Sequence, residues 1–518
     1  MFIDSAFFGF ARAGSIDDTI NYPVVLNLEN PFHRSFADSI TSEIQIPWNF
    51  VAGNAGFIES GEDYLIIPDL ASLIQKPRKL ISLIGKIRTD YGFRRLIYAQ
   101  GFSDPYLLPI LVYLGISIFD DTTAKLEGLE NIRYTHLGRV RHSSNQSEHN
   151  SEFLKETAEL CVLSIRNDTL RNMVERYILH PKAMELIRLS DSLLMQDLEN
   201  TYPRRTPEIF ASTLDSLRRP DLLRYKNYIS NDYTANGQGD IALLIPCTAK
   251  KPYSLSVTHQ RLFNALGKRR RSLHEIIITS PVGVVPRDLE RTYPPAFYDI
   301  PVTGNWFLEE KEMINSMIQN YFSRNSYRKV IAFIDPSLGF IEKVLPPGSE
   351  IILWEKGKRE GEFDDLISCL DGHMENTPKS IPGNMRLQEF VSIAKYQFGS
   401  WIEKYILSCR IVRNYDRDML VYEGKPVMVF HEERGFFSIT KNAAQLFLDN
   451  GKFLVEIDDF KPTANIYAVG VKEATPDIRP GDEVVIHCGG QIRGVGTAKM
   501  PVDAMTSLKK GVAVKVRG

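Results

Sequence analysis

The sequence predicts a multidomain protein of α/β and α+β type, with a parallel-sheet α/β domain near its middle. Three observations carry this. At 518 residues the chain is too long for one hydrophobic core, and about three or four domains are expected. Between residues 241 and 355, short continuous apolar runs alternate with helical stretches, as strands covered on both faces do. From residue 449 onward the chain breaks instead into short strands separated by glycine turns.

Composition narrows the class. Hydrophobic residues make up 43% and charged residues 24%, which excludes a disordered or membrane-embedded chain. No stretch approaches the ~20 apolar residues that cross a bilayer, and no basic segment leads into an apolar core at the N-terminus. A soluble, cytoplasmic protein with no membrane partner is expected. The formal net charge of −2 leaves any nucleic-acid contact to local patches. The five cysteines, Cys161, Cys247, Cys369, Cys409 and Cys488, are odd in number and without a C-x-x-C pair. Neither a disulfide framework nor a metal site is expected from them.

Taken in order, residues 1–234 mix short strands and helices. Within them "LIYAQGFSDPYLLPILVYLGISIFDD" (96–121) reads as strand, loop, helix and strand, closed by a carboxylate pair. Residues 150–191 read as strongly helical, with apolar residues every three or four positions. The polar stretch "ISNDYTANGQGD" (229–240) reads as a linker. The apolar runs "IALLIP" (241–246), "EIIITSP" (275–281), "KVIAFID" (329–335) and "EIILWE" (350–355) follow, with a helical stretch at 307–325. "NTPKSIPGN" (376–384) marks another boundary, and residues 385 to about 450 read as helical, then β. The expected domains are 1–234, 235–378, 379–448 and 449–518.

Ligands of parallel sheets bind beyond the carboxyl ends of the strands. "PCTAKKPYSLSVTH" (246–259) lies at such an end and gathers Cys247, Lys250, Lys251, Tyr253, Ser256 and His259 in fourteen positions. A cysteine beside two lysines and an imidazole sits where a thiolate is favoured. The plainer reading of Cys247 is a strand-end packing thiol. A helix starting near Ser256 would make Ser256 its N-cap, with His259 at the third position.

Several stretches carry a resemblance to known families. "FFGFARAGSIDDTINYPVVLNLENP", "GFSDPYLLPILVYLGISIFDDTTA" and "HNSEFLKETAELCVLSIRNDTLRNMVE" occur in the order seen in tRNA-guanine transglycosylases, which they resemble. The region is short by roughly half of the ~250 residues a (β/α)8 barrel takes. The resemblance therefore implies a degenerate, truncated TIM-barrel-like N-terminal domain. Asp120 falls at that family's nucleophilic aspartate but has no visible partner carboxylate, and the family's zinc cysteines are missing after Phe119. A structural carboxylate is the plainer reading of Asp120, and substrate binding the other. The pattern PC-x3-KPY-x2-S-x2-H, formed by Pro246, Cys247, Lys251, Pro252, Tyr253, Ser256 and His259, is similar to the signature of archaeosine synthases. These look like transglycosylase paralogues with an added α/β domain. "SPVGVVPRDLERTYPPAFYDIPVTGNWF" (280–307) resembles a second block of that domain. "GKPVMVFHEERGFFSITKNAAQLFLDNG" (424–451) resembles their small α+β domain, and "IRPGDEVVIHCGGQIRGVGTAKM" (478–500) a β-barrel-like PUA domain.

The resemblance implies a tRNA-modifying transferase of a nitrogenous group, amidinotransferase-like and without cofactor. Its substrate would be tRNA carrying 7-cyano-7-deazaguanine at position 15 of the D-arm. The favoured donor is the ε-amine of free lysine, the product then being cut by a radical-SAM lyase partner; glutamine or ammonium is the other donor. Homodimer formation is left open. On the residues, Cys247 either attacks the nitrile as nucleophile or only lines the pocket. His259 is the expected base that deprotonates the amine. Lys251 is expected on a phosphate or carboxylate, Tyr253 on the base or the nitrile nitrogen, and Ser256 as cap or catalytic hydroxyl. In the second block, Arg287 is expected on the lysine carboxylate, and Asp288 or Asp299 on its α-ammonium, with ion pairs inside the domain as the alternative.

From residue 488 onward the chain carries Arg493, Lys499, Lys509, Lys510, Lys515 and Arg517 against one acid, Asp503, a balance suited to phosphate contacts. "GKRRR" (267–271), Arg204 and Arg205, and Arg218 and Arg219 extend that expectation. Two rivals remain: an active tRNA-guanine(15) transglycosylase dependent on Asp120, and a non-catalytic tRNA-binding subunit.

Overall fold

A computed structural model describes residues 9–10, 58–60, 64–67, 69–178, 180–194, 199–235, 238–301, 303–354, 361–374, 385–414 and 417–517. Most of the opening stretch (7–31), part of the expected linker and the boundary at 376–384 lie outside them. The chain forms two compact units, Met1–Thr206 with Phe447–Gly518, and Pro207–Leu446. Residues 207–234 thus pack with the second unit rather than with the residues before them. Among the described residues no helix is long and apolar enough to cross a membrane.

The first unit holds a five-stranded sheet in the order Gly9–Phe10, Ile118–Phe119, Leu96–Ala99, Tyr64–Ile67, Ile58–Ser60. The first four strands run parallel and the last is antiparallel. The expected barrel is therefore reduced to a half-barrel sheet. The helix Pro77–Tyr91 buries Leu80, Ile81, Ile84 and Ile87, one stripe at helical spacing. Residues 150–191 are not one helix but fall within three, Ser147–Arg166, Leu170–Arg176 and Pro181–Leu193. Two local causes explain the breaks. Asp168 takes a left-handed φ of 57°, and Pro181, lacking an N–H, begins the third helix. The fully buried Arg171 then joins the second and third helices through Asp191 (2.7 Å).

The C-terminal part of this unit is a six-stranded sheet, ordered Asn465–Tyr467, Val512–Arg517, Gln491–Ala498, Glu483–Cys488, Leu454–Ile457, Val471–Ala474. Only the pair 454–457 with 483–488 is parallel. Gly489 and Gly490, both at positive φ, turn the 483–498 hairpin where a Cβ would be strained.

The second unit is built on the sheet Gly283–Pro286, Leu273–Thr279, Ile241–Pro246, Lys329–Ile334, Glu350–Leu353. Three of its four pairings are parallel, and only Gly283–Pro286 returns antiparallel. Every residue of 241–246 and 273–279 is buried, which is why 241–246 and 276–278 are apolar without alternation. The chain leaves 241–246 for a neighbour on one side and returns to 329–334 on the other. Cys247 thus follows the strand at the topological switch point, where α/β sheets open a ligand crevice. Beside the sheet, helix Met385–Phe398 packs on antiparallel strands Arg410–Asn414, Arg417–Tyr422, Lys425–His431 and Phe436–Ile439, the α+β part.

Candidate functional site

Beyond Pro246 the chain runs through an open loop, a turn of 3-10 helix at Tyr253–Leu255, and the helix Val257–Leu266. Ser256 caps that helix, its Oγ accepting the His259 amide N–H at 3.2 Å. Ser256 is 5% exposed. Its geometry is that of a cap and not of a reacting hydroxyl.

His259 is wholly buried, and both its ring nitrogens are occupied. Nδ1 meets an Arg287 guanidinium nitrogen at 3.0 Å, and Nε2 meets the Pro246 carbonyl at 3.1 Å. Arginine only donates, so Nδ1 accepts and the Nε2 proton is donated to Pro246. A neutral ring held at both ends has no lone pair for a substrate ammonium, and the expected base role of His259 does not fit. The imidazole instead props the end of the strand that carries Cys247.

Arg287 is likewise engaged inside the domain, through each of its three nitrogens. Its Nε donates to Glu275 (2.6 Å), one terminal nitrogen to Glu290 (2.6 Å) and the other to His259. Three of its five N–H donors are thus committed inside the domain, as the ion-pair alternative describes, and its remaining N–H groups border a second cavity of about 590 Å³. Asp288 is buried, accepting from the Tyr233 hydroxyl at 3.0 Å and facing His274 Nε2 at 3.2 Å. Burial alone would raise its carboxyl; the His274 and Tyr233 contacts win and hold it below the ordinary range. It too is internal.

What remains facing solvent is a smaller group. A cavity of about 390 Å³ is lined by Lys251, Ala249, Tyr298, Asp299, Phe297 and Glu208, among others. That volume suits a small ligand or part of a larger one. It exists because the two-residue strands Ile209–Phe210 and Tyr298–Asp299 pair in parallel, bringing Glu208 beside the motif loop. The Lys251 ammonium stands 4.0 Å over the Tyr298 ring. Partial burial pushes Lys251 below its ordinary value, against the opposing charges of Cys247 and Asp299. Cys247, half-buried, is thus within electrostatic reach of Lys251, while its own N–H donates to the Ile278 carbonyl at 3.2 Å.

Tyr253 lies beneath, fully buried, its hydroxyl 2.8 Å from that of Tyr298. Tyr298 contacts Thr279 Oγ1 at 2.6 Å, and Thr279 donates to the Ser280 carbonyl. One proton per hydroxyl fixes the direction of the chain, Tyr253 to Tyr298 to Thr279 to Ser280. Tyr253 therefore shapes the floor from inside and offers no face to a base. The arrangement brings together Cys247, Lys251 and Asp299 of the sequence-derived set, with Tyr253 buried beneath them, and commits His259, Ser256, Arg287 and Asp288 to contacts inside the domain. Sequence reasoning missed Tyr298, Thr279 and Glu208. Tyr298 directly precedes Asp299 within the quoted second block, whereas nothing local marks Glu208.

In the other unit, Asp120 ends the strand Ile118–Phe119, 4% exposed. It accepts from the Tyr98 hydroxyl (2.8 Å), the Gly101 amide (2.7 Å) and the Thr122 amide (3.0 Å). Burial raises its carboxyl despite these bonds. Three donors from its own domain describe a structural carboxylate. At the C-terminal sheet, Arg493 pairs with Asp459 (2.6 Å) and Arg517 with Glu483 (2.7 Å). Lys499, Lys509, Lys510 and Lys515 are exposed, and among the described residues none of them forms an ion pair. Other basic residues in the expected track are structural, Arg204 on Asp482 (2.6 Å) and Arg219 on Asp221 (3.3 Å).

A family described as a domain of unknown function, DUF5591, matches residues 222–353, and a PUA domain matches residues 459–518. The chain is 45% identical to a Thermoplasma acidophilum protein named archaeosine synthase subunit alpha, with 100% of each chain covered. A Methanosarcina acetivorans protein of the same name is 29% identical, over 88% of this chain and 79% of the relative. A tRNA-guanine(15) transglycosylase of Methanococcus maripaludis is 21% identical, over 85% of this chain and 68% of the relative.

Proposed function

The chain belongs to the archaeosine synthase family, and from that premise we propose that it adds the ε-amine of free lysine to the cyano carbon of 7-cyano-7-deazaguanine at position 15 of the tRNA D-arm. Cys247 Sγ adds to the nitrile carbon, forming a C–S bond while the nitrogen takes a proton, which gives a thioimidate. The lysine amine then attacks the same carbon, the C–N bond forms, and the thiol leaves. Nitrile plus alkylammonium thereby gives a substituted amidinium, with every proton accounted for. Lys251 is the proton carrier in this reading. Its ammonium is pushed down by burial, so it gives up and regains a proton more readily than an exposed lysine. Asp299 and Glu208 supply negative charge at the cavity wall to receive a cationic amine.

One observation carries the reading: Lys251, within electrostatic reach of Cys247, lines a cavity that also carries Asp299, at the sheet's switch point. The relatives' subunit-alpha name supports a partner subunit, which we assign to a lyase that cuts the lysine adduct. We retain four domains as the functional division, the α/β domain for the chemistry and the C-terminal domain for tRNA.

The test incubates the protein with nitrile-bearing tRNA and labelled lysine, glutamine or ammonium, and weighs the digested nucleosides. Lysine label in the modified base is expected. Label from glutamine or ammonium alone overturns the donor, and guanine exchange in place of addition overturns the reaction. For tRNA binding, replacing Lys509 and Lys510 together with alanine is expected to reduce the slope of log affinity against log salt by roughly 1.5 to 2. An unchanged slope removes these lysines from the phosphate contacts.

A further inference from the structure

We propose that Glu350, Cys369 and His373 form a binding site for a single divalent transition-metal ion, with zinc as the ion their donor set fits. Glu350 opens the edge strand Glu350–Leu353, while Cys369 and His373 lie four residues apart, one turn, on the helix Asp364–Met374. Cys369 Sγ stands 2.9 Å from one Glu350 carboxylate oxygen, and His373 Nε2 stands 2.8 Å from the other. The three donor atoms lie within 4.8 Å of one another. A thiolate, an imidazole and a carboxylate together suit zinc, and a tetrahedral ion with bonds of ~2.0–2.3 Å holds its ligands roughly 3.3–3.8 Å apart. The side chains need to open by less than about 1 Å to admit it.

Both carriers of the donors are anchored. Leu366 and Leu370 bury the helix, and the His373 carbonyl accepts from Arg328 at 2.9 Å. Each donor residue is partly exposed, which gives an ion access from solvent. The Lys329 ammonium lies 2.5 Å from Glu350 and also donates to the Gly348 carbonyl at 2.9 Å. Lys329 thus occupies the cation's place and keeps the Gly348 bond when displaced. On binding, Cys369 releases its thiol proton to solvent and His373 coordinates through Nε2 with its proton on Nδ1. The thiolate and carboxylate balance the two positive charges, and water takes the fourth position. The site lies at the amino end of an edge strand, whereas Cys247 follows the carboxyl end of the central one. Its role is to clip the edge strand to the helix, and it is independent of the amine-addition reading.

The test uses chelator-treated full-length protein titrated with cobalt(II), followed by absorbance, and with zinc, followed by calorimetry. One equivalent per chain is expected, with a thiolate-to-cobalt band that persists in Cys247→Ala and vanishes in Cys369→Ser. His373→Ala is expected to weaken zinc by about tenfold or more, and Lys329→Met to tighten it. Zinc should raise the melting temperature of the wild type and not of Cys369→Ser. Absence of binding overturns the site, as does one equivalent bound equally well by Cys369→Ser and His373→Ala.

Discussion

Cys247→Ala is expected to lower the rate of lysine addition at least about 10²-fold while leaving tRNA affinity unchanged. A nitrile carbon is a weak electrophile, and the Cys247 sulfur held at the strand end converts it into a thioimidate that an amine resolves readily. Without the sulfur, the amine must attack the nitrile directly, with only positioning and proton transfer by Lys251 to help it. Intact-mass measurement with nitrile-bearing tRNA and no amine should show a covalent adduct on the wild type and none on the variant. Lys251 gives a second signature. Because burial pushes its ammonium below the ordinary lysine value, the amine form needed to accept a proton appears at lower pH. Activity should rise with pH through that depressed value, and Lys251→Met should flatten the rise. A Cys247→Ala rate equal to wild type would reassign the thiol to the pocket wall.

The parts of this site legible in the sequence are those fixed by local rules. Four apolar residues before Pro246 announce a buried strand, and Ser256 three places before His259 announces a helix cap, because strand burial and capping depend on near neighbours. Partners remote in sequence were not legible. Arg287 carries no local sign that Glu275 and His259 will close around it. Glu208 reaches the cavity only because a two-residue strand pairs with Tyr298–Asp299, far along the chain. The spacing of Cys369 and His373 is helical, yet the pair acquires meaning only when Glu350 arrives from a separate strand. A carboxylate, an imidazole or a guanidinium reads as chemistry in one dimension, and folding decides whether its valences are spent internally.

Arg287→Met should destabilise the second unit by about 3–5 kcal/mol at neutral pH, the cost of leaving buried carboxylates without their cation. Glu275 is 3% exposed and Glu290 4%, so little hydration compensates either carboxylate when the guanidinium is removed. Burial alone would push the Glu275 carboxyl up, but Arg287 and Arg270 overcome it and hold it below the ordinary range. A carboxyl lower in the folded than in the unfolded chain contributes stability above its unfolded value, and that contribution disappears as pH falls through the folded value. With Arg287 removed, Arg270 alone opposes burial and the Glu275 carboxyl rises. Acid then relieves the variant by protonating it. The gap between the urea midpoints of wild type and Arg287→Met is therefore expected to be widest near pH 7 and to narrow towards pH 4. His259 loses its Nδ1 donor in the same change, which frees its ring and loosens the strand end beneath Cys247, so the variant should also lose amine addition. If Arg287 instead bound the carboxylate of free lysine, the variant would keep its urea midpoint at every pH and show only a raised KM for lysine.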